Sequence, residues 1–208
     1  MFKKFDEDRM THILETGIDE FAVTGLDRAN INEIAKKAGV SVGVIYKYYG
    51  DKDSFFLACV RFSLNLLRDV LDTAAGCSSD LQESMHGVIC ALVEHSRKHS
   101  NYYVMYNEIT SGSCRKYAAV LAEEIESMSS AVYTTLLENA KDTGKVRSDM
   151  DCRMFAFFFD NLLMMLQFSY CCDYYKERMK IYCGEDILDD DEKMIKEMMS
   201  FMSAALGL

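Results

Sequence analysis

The sequence predicts an all-α protein, and three observations carry that prediction. It contains no proline, the residue that most often stops a helix. Apolar residues recur at spacings of three and four through much of its 208 residues, and no period-2 alternation lasts long enough for a strand. Gly25, Gly39, Gly50, Gly76, Gly112, Gly144 and Gly184 fall where that apolar pattern stops or changes phase, as helix-ending glycines do.

The first helix is expected from about Asp6 to Val23, with Met10, Ile13, Leu14, Ile18 and Phe21 on one stripe. Gly25 supplies a left-handed cap and Leu26 folds back on the helix end. Asn30-Ile31-Asn32-Glu33 then reads as a capping box, opening a helix over 31–38 that buries Ile31, Ile34 and Ala35. Gly39 ends it, Val40 plugs the turn, and Ser41 is the next N-cap. The third helix, Val42 to Tyr48, is barely two turns long and must be held by its neighbours. Two helices joined by a tight glycine turn, the second short and polar outside, form the pattern of a helix-turn-helix. Asp51 caps a fourth helix reaching about Ala75.

Five further helices are expected near 81–99, 101–111, 115–141, 151–182 and 189–206. The organisation is thus an N-terminal three-helix domain over 1–52, joined to a larger helical domain over 53–208. The middle of the 151–182 segment, including Phe157, Phe158, Phe159, Leu162, Leu163, Met164 and Met165, has almost no polar face. A helix apolar all round is buried on every side. In so small a domain one side would face the core and the other a second copy of the chain.

Net charge is −10, but it is unevenly placed. Residues 53–208 carry −9, whereas 28–52 carry +3 from Arg28, Lys36, Lys37, Lys47 and Lys52 against Glu33 and Asp51. Charge effects are screened beyond roughly 10 Å, so a local basic face decides phosphate attraction. No run of about 18 uncharged apolar residues argues for a membrane span. The N-terminus, Met1-Phe2-Lys3-Lys4-Phe5-Asp6, lacks the apolar core of a secretory signal, and a cytoplasmic location is expected. Eight cysteines are scattered without any Cys-x-x-Cys and read as small, partly buried hydrophobes in a reducing cell. The vicinal Cys171-Cys172 keeps a thiol-redox or metal sensor as the alternative. No nucleophile elbow, Walker loop or dinucleotide glycine pattern occurs, so no catalytic residue, metal ligand or cofactor is assigned. His95 and His99 are spaced i,i+4 but lack the glutamate of a zincin and read as surface histidines.

The run Ile34-Ala35-Lys36-Lys37-Ala38-Gly39-Val40-Ser41-Val42-Gly43-Val44-Ile45-Tyr46-Lys47-Tyr48-Tyr49-Gly50-Asp51-Lys52-Asp53-Ser54-Phe55-Phe56 resembles the DNA-binding domain of the tetracycline-repressor (TetR/AcrR) family. The likeness covers roughly residues 8–62; beyond it only the layout of long helices is similar. It implies a double-stranded operator, palindromic because the protein is a homodimer through its last two helices, and a small-molecule inducer that releases a repressor. The residues expected to meet DNA are Ser41, Val42, Gly43, Tyr46, Lys47, Tyr48 and Lys52. Gly43 suits close approach of backbone to DNA, beside its reading as a turn glycine. Lys47 projects to a base edge or phosphate, unless it is merely solvated. Tyr46 and Tyr48 match family positions on the DNA backbone, and Tyr49 matches its buried aromatic. Lys52, at the start of the fourth helix, would hold a phosphate with the free N–H groups there. Ser41 caps the helix or touches a phosphate. Val42 and Val44 depart from the polar residues common in the family, so the base preference is not inherited. The inducer pocket is expected among Tyr102, Tyr103, Tyr106, Asn107, Phe158, Asn161, Met165, Gln167 and Phe168, lined for a hydrophobic or aromatic ligand. An aromatic and methionine stripe at helical spacing is more often plain core.

Overall fold

The computed structural model describes residues 7–76, 78, 80–109 and 112–208. The leader expectation over Met1–Asp6, Cys77 and the final residues of the 101–111 helix lie outside them. The described residues form ten α-helices and two 3-10 helices, with no strand among them. In order these are α1 (Glu7–Arg28), α2 (Ile31–Lys37), α3 (Val42–Tyr49), α4 (Lys52–Gly76), α5 (Leu81–Lys98), α6 (Ser100–Ile109), a 3-10 helix (Gly112–Tyr117) and α7 (Ala118–Asp142). They are followed by α8 (Cys152–Cys171), α9 (Asp173–Cys183), a second 3-10 helix (Glu185–Asp189) and α10 (Asp191–Leu206).

Two compact units result, and they do not divide at 52/53. The first comprises residues 1–66 and 101–118; the second comprises 67–100 and 119–208. The cut falls inside α4, and α6 with the first 3-10 helix joins the N-terminal unit. Long-range bonds tie them there: Asn101 donates to Asp19 on α1 at 2.5 Å, and Tyr117 donates to Asp53 on α4 at 2.6 Å.

In the first unit Phe21, Phe55 and Phe56 are fully buried, with Phe21 edge-on to Phe56 at 5.1 Å. Each such ring contributes about 1.5–3 kcal/mol on burial. Gly17 lets α1 approach α4 closely, because a Cβ there would lie 2.6 Å from Phe55 Cζ. Gly25 takes the positive φ (71°) expected of it and breaks the helical run, and Leu26 beyond it is buried. Asn30 caps α2 by accepting from the N–H of Asn32 at 2.9 Å.

In the second unit, Asp80, Asp151 and Asp190 cap α5, α8 and α10 through their carboxylates. Arg97 on α5 forms a two-pronged pair with Asp191 on α10 at 2.6 and 2.8 Å, while its plane lies 4.7 Å from the ring of Tyr170 on α8. Two expectations fail here. The helix expected over 151–182 breaks at Cys172, whose backbone is extended (φ −102°, ψ 129°). No glycine or proline marks the break; it falls where the apolar run gives way to Asp173 at the start of a charged segment. His95 is not a surface residue but 8% exposed, stacked 4.6 Å from His99, and burial lowers its pKa to about 4.

Helix α8 is long and apolar enough to cross a membrane by length and composition, though it carries Asp160, and half of it is buried within the protein. Its other side is exposed: Phe157 at 61% and Phe158 at 55%, with Met154 beside them. On α10, Phe201 is likewise exposed.

Candidate nucleic-acid interface

Helix α3 is attached to the first unit by a narrow edge. Ile45 is its one fully buried residue, and Tyr49 is half-buried against Phe55 at 4.8 Å. The Tyr49 hydroxyl is enclosed without a hydrogen-bond partner among the described residues, and burial raises its pKa to about 12. That supports the core placement of its ring. Everything else on α3 faces outward or sits at the rim. Ser41, Gly43, Tyr46, Lys47 and Tyr48 are exposed, and Val42 and Val44 are half-exposed. The structure therefore brings six of the seven expected DNA-facing residues onto one short helix and its N-cap.

Gly43 shows why the outer face matters. Its backbone is ordinary helix, and the nearest atom to a Cβ built there is Ser41 Oγ at 3.8 Å. Nothing inside the unit demands a glycine, which removes the turn reading. Ser41 stands at the N-cap with extended backbone, but its side chain makes no capping bond, so the expected cap is not formed by its hydroxyl. The hydroxyl stays on the exposed surface.

Lys52 is placed differently from the expectation. Its ammonium donates to the carbonyls of Asp27 at 2.9 Å and Ala29 at 3.4 Å, just where α1 ends. Orphan carbonyls at a helix end attract a cation, and this intramolecular pull competes with phosphate. Lys37 is engaged too, paired with Glu20 at 2.9 Å. Asp51 caps α4 as expected, accepting from the N–H of Ser54 at 2.7 Å, and that bond lowers its pKa. Sequence reasoning missed the contribution of the first 3-10 helix. Lys116 and Tyr117 both bond Asp53 at the start of α4 and hold its carboxyl below the usual range. Only the folded chain brings these residues together.

The nine expected pocket residues are divided between the units. Tyr102, Tyr103, Tyr106 and Asn107 lie in the first, where Tyr102 and Tyr103 are buried and Phe62 packs against Tyr102 at 6.5 Å. Phe158, Asn161, Met165, Gln167 and Phe168 lie in the second. Within that unit Phe158 is exposed while Gln167 and Phe168 are buried. Asn161 spends its amide on the carbonyl of Phe157 at 2.7 Å. Two cavities in this unit, of about 520 and 270 Å³, are lined by other residues, including His86, Lys196 and Met199 in the first and Ser84, Asn139 and Lys145 in the second.

The cysteines give the sensor alternative little support. Cys59, Cys114, Cys152, Cys171 and Cys172 are buried. Burial raises Cys171 to about 12 and Cys59 well above its ordinary value, which suppresses the reactive thiolate. Cys183 is exposed. No group of three metal-ligating side chains occurs among the described residues.

Comparison with known proteins places this geometry. The family described as "Bacterial regulatory proteins, tetR family" matches residues 13–59. An uncharacterized HTH-type transcriptional regulator of Bacillus subtilis, YvdT, is 38% identical over 64 residues, 31% of each chain. The regulator HbdR of Aromatoleum is 31% identical over 97 residues, 45% of this chain and 42% of its own. The chain thus matches less than half the length of these relatives. Among solved structures, the fatty acid degradation regulator FadR from Bacillus halodurans superposes with a TM-score of 0.74 at 17% identity, over 95% of this chain and 97% of that one. FadR from Bacillus subtilis, solved with stearoyl-CoA, gives 0.70 at 13% identity over 92% and 98%. These likenesses extend the shared fold to nearly the whole chain.

Proposed function

We propose, on the premise that residues 13–59 form a tetR-family regulatory domain, that this chain is a cytoplasmic transcription regulator. It would bind a palindromic operator as a homodimer and release it when a small hydrophobic molecule occupies the helical unit. The observation that carries the reading is α3, a short helix held by Ile45 and Tyr49 that turns Gly43, Tyr46, Lys47 and Tyr48 outward. Such a helix lays its first residues on base edges while flanking groups fix the phosphates. Tyr46 and Tyr48, 42% and 40% exposed, offer hydroxyls to the DNA backbone, and Lys47 offers a cation. Val42 and Val44, half-exposed at the helix start, suit thymine methyl groups.

A dimer follows from spacing and from surface. Two recognition helices must stand about 34 Å apart to read successive turns of one groove. Met154, Phe157 and Phe158 on α8 and Phe201 on α10 form the exposed apolar residues that a two-fold partner would cover. For the ligand, the support is the apolar character of the second unit and its likeness in fold to a regulator solved with stearoyl-CoA. A repressor is the favoured sense because release by ligand is the habit of the family.

The test is a salt titration of the full chain against its own upstream DNA and a scrambled duplex of equal length. Wild type is expected to prefer the upstream DNA and to lose affinity steeply with salt. Lys47→Ala is expected to shrink the preference as well as the salt slope. Binding to neither duplex at low salt would overturn the reading.

A further inference from the structure

We propose that the 3-10 helix Gly112–Tyr117, from the middle of the chain, belongs to the DNA-facing surface of the first unit. There Lys116 cancels the carboxylate of Asp53, and Arg115 adds a contact to the DNA backbone. The proposal rests on the DNA-binding reading above and extends its footprint beyond α1–α4.

The start of α4 carries Asp51, Lys52 and Asp53 in succession. A helix start is a natural place for a phosphate. Yet here the one cation, Lys52, is turned to the carbonyls of Asp27 and Ala29. That leaves two carboxylates where the polyanion would lie. Asp51 is committed as the cap of α4. Asp53 lies one residue beyond Lys52, and its charge, unless neutralised, falls within a Debye length (about 8–10 Å) of a phosphate at that helix start.

The 3-10 helix supplies the neutralisation. Lys116 Nζ pairs with Asp53 Oδ2 from 63 residues away in sequence. The hydroxyl of Tyr117 donates to the same oxygen at 2.6 Å, and Lys116 also lies 4.9 Å from the Tyr117 ring. Arg115 and Lys116 are both exposed. A solvent-exposed ion pair contributes little to folding. Its larger consequence is the charge it presents to an approaching polyanion: a paired Asp53 instead of a bare one, with the exposed Arg115 on the same 3-10 helix.

The experiment uses the full chain, its own upstream DNA and a scrambled duplex, with binding read by fluorescence anisotropy at several salt concentrations. Lys116→Ala is expected to weaken binding to both duplexes by about tenfold, because it bares Asp53. Asp53→Asn combined with Lys116→Ala is expected to recover most of that loss, because no bare carboxylate remains. This double variant also separates charge from folding, since it deletes the same contact without leaving an unpaired charge. Arg115→Ala is expected to reduce the slope of log K against log salt by about one, as for one lost phosphate contact. The proposal is overturned if Lys116→Ala binds within twofold of wild type, or if the double variant is as weak as the single. Failure of wild type to bind either duplex would remove the DNA-binding reading itself, an outcome distinct from these.

Discussion

Helices α3 and α8 both show aromatic side chains to solvent, but the chemistry of those side chains differs. On α3 the exposed rings are Tyr46 and Tyr48, each with a hydroxyl; on α8 they are Phe157 and Phe158, with none. Tyrosine beside Lys47 suits a hydrated, charged partner whose oxygens accept hydrogen bonds. Bare phenylalanine beside Met154 suits a dry surface, where burial rather than hydrogen bonding stabilises contact. The anchoring differs as well. Helix α3 hangs on Ile45 and Tyr49, whereas α8 buries ten of its twenty residues. One helix is held at its edge and exposed over most of its surface; the other divides between a buried side and an exposed one.

The sharpest way to break this comparison is to charge the α8 face. Phe157→Asp with Phe158→Asp is expected to abolish the dimer and to lower operator affinity by at least about a hundredfold. Each buried Phe contributes about 1.5–3 kcal/mol, and two-fold symmetry loses every contact twice. Sedimentation velocity gives the oligomeric state. A double variant that remains dimeric would mean that α8 faces something else, and the comparison would lose its second half.

A half-buried carboxyl sharpens the contrast next. Asp160 on α8 bonds Ser129 and Glu126 on α7, and burial with the neighbouring Glu126 charge raises its pKa to about 6. The folded state therefore holds a proton that the unfolded state releases near the ordinary value of 3.8. Stability is greatest below that value and falls as pH rises through the interval to about 6, then levels off. Asp160→Asn removes this loss and is expected to stabilise the second unit by about 1–3 kcal/mol at pH 7.5, with no gain at pH 4. Urea unfolding at the two pH values reads it. Equal gains at both pH values would mean that packing, not titration, is responsible.

The difference between the helices also explains what the sequence revealed. The turn around α3 is set by short-range rules: Gly39 with its positive φ, the Asn30 cap, and Asp51 bonding the N–H of Ser54 all act within a few residues. Such rules are readable in order along the chain. The division of the units was not readable, because it depends on Asn101 reaching Asp19 and on Lys116 and Tyr117 reaching Asp53. The break at Cys172 left no glycine or proline behind it. The nine aromatic, methionine and amide residues expected to line one pocket share a composition, but composition does not say which helix faces which. Gly43→Ala tests the short-range half directly. The added methyl meets only Ser41 Oγ at 3.8 Å, so the unfolding midpoint should stay or rise with the better helix former. DNA affinity should fall about tenfold if backbone and groove meet there. Unchanged affinity would show that α3 stands further from the duplex.

The smallest effect concerns Lys52, where local rule and tertiary structure disagree. Its position at the first residue of α4 suits phosphate binding, while its ammonium is occupied by the carbonyls of Asp27 and Ala29 at the end of α1. Two hydrogen bonds from a charged donor to helix-end carbonyls are worth about 1 kcal/mol after solvent competition. An ammonium has three protons, so a phosphate contact would draw on the third or displace the weaker bond at 3.4 Å. Lys52→Ala is therefore expected to lower the stability of the first unit by about 1 kcal/mol and to weaken both specific and scrambled duplexes only about two- to threefold. A large, equal loss on both duplexes with unchanged unfolding would return Lys52 to the DNA. In that case the carbonyls would be its resting place, and α3 and the α4 start would act as one continuous surface.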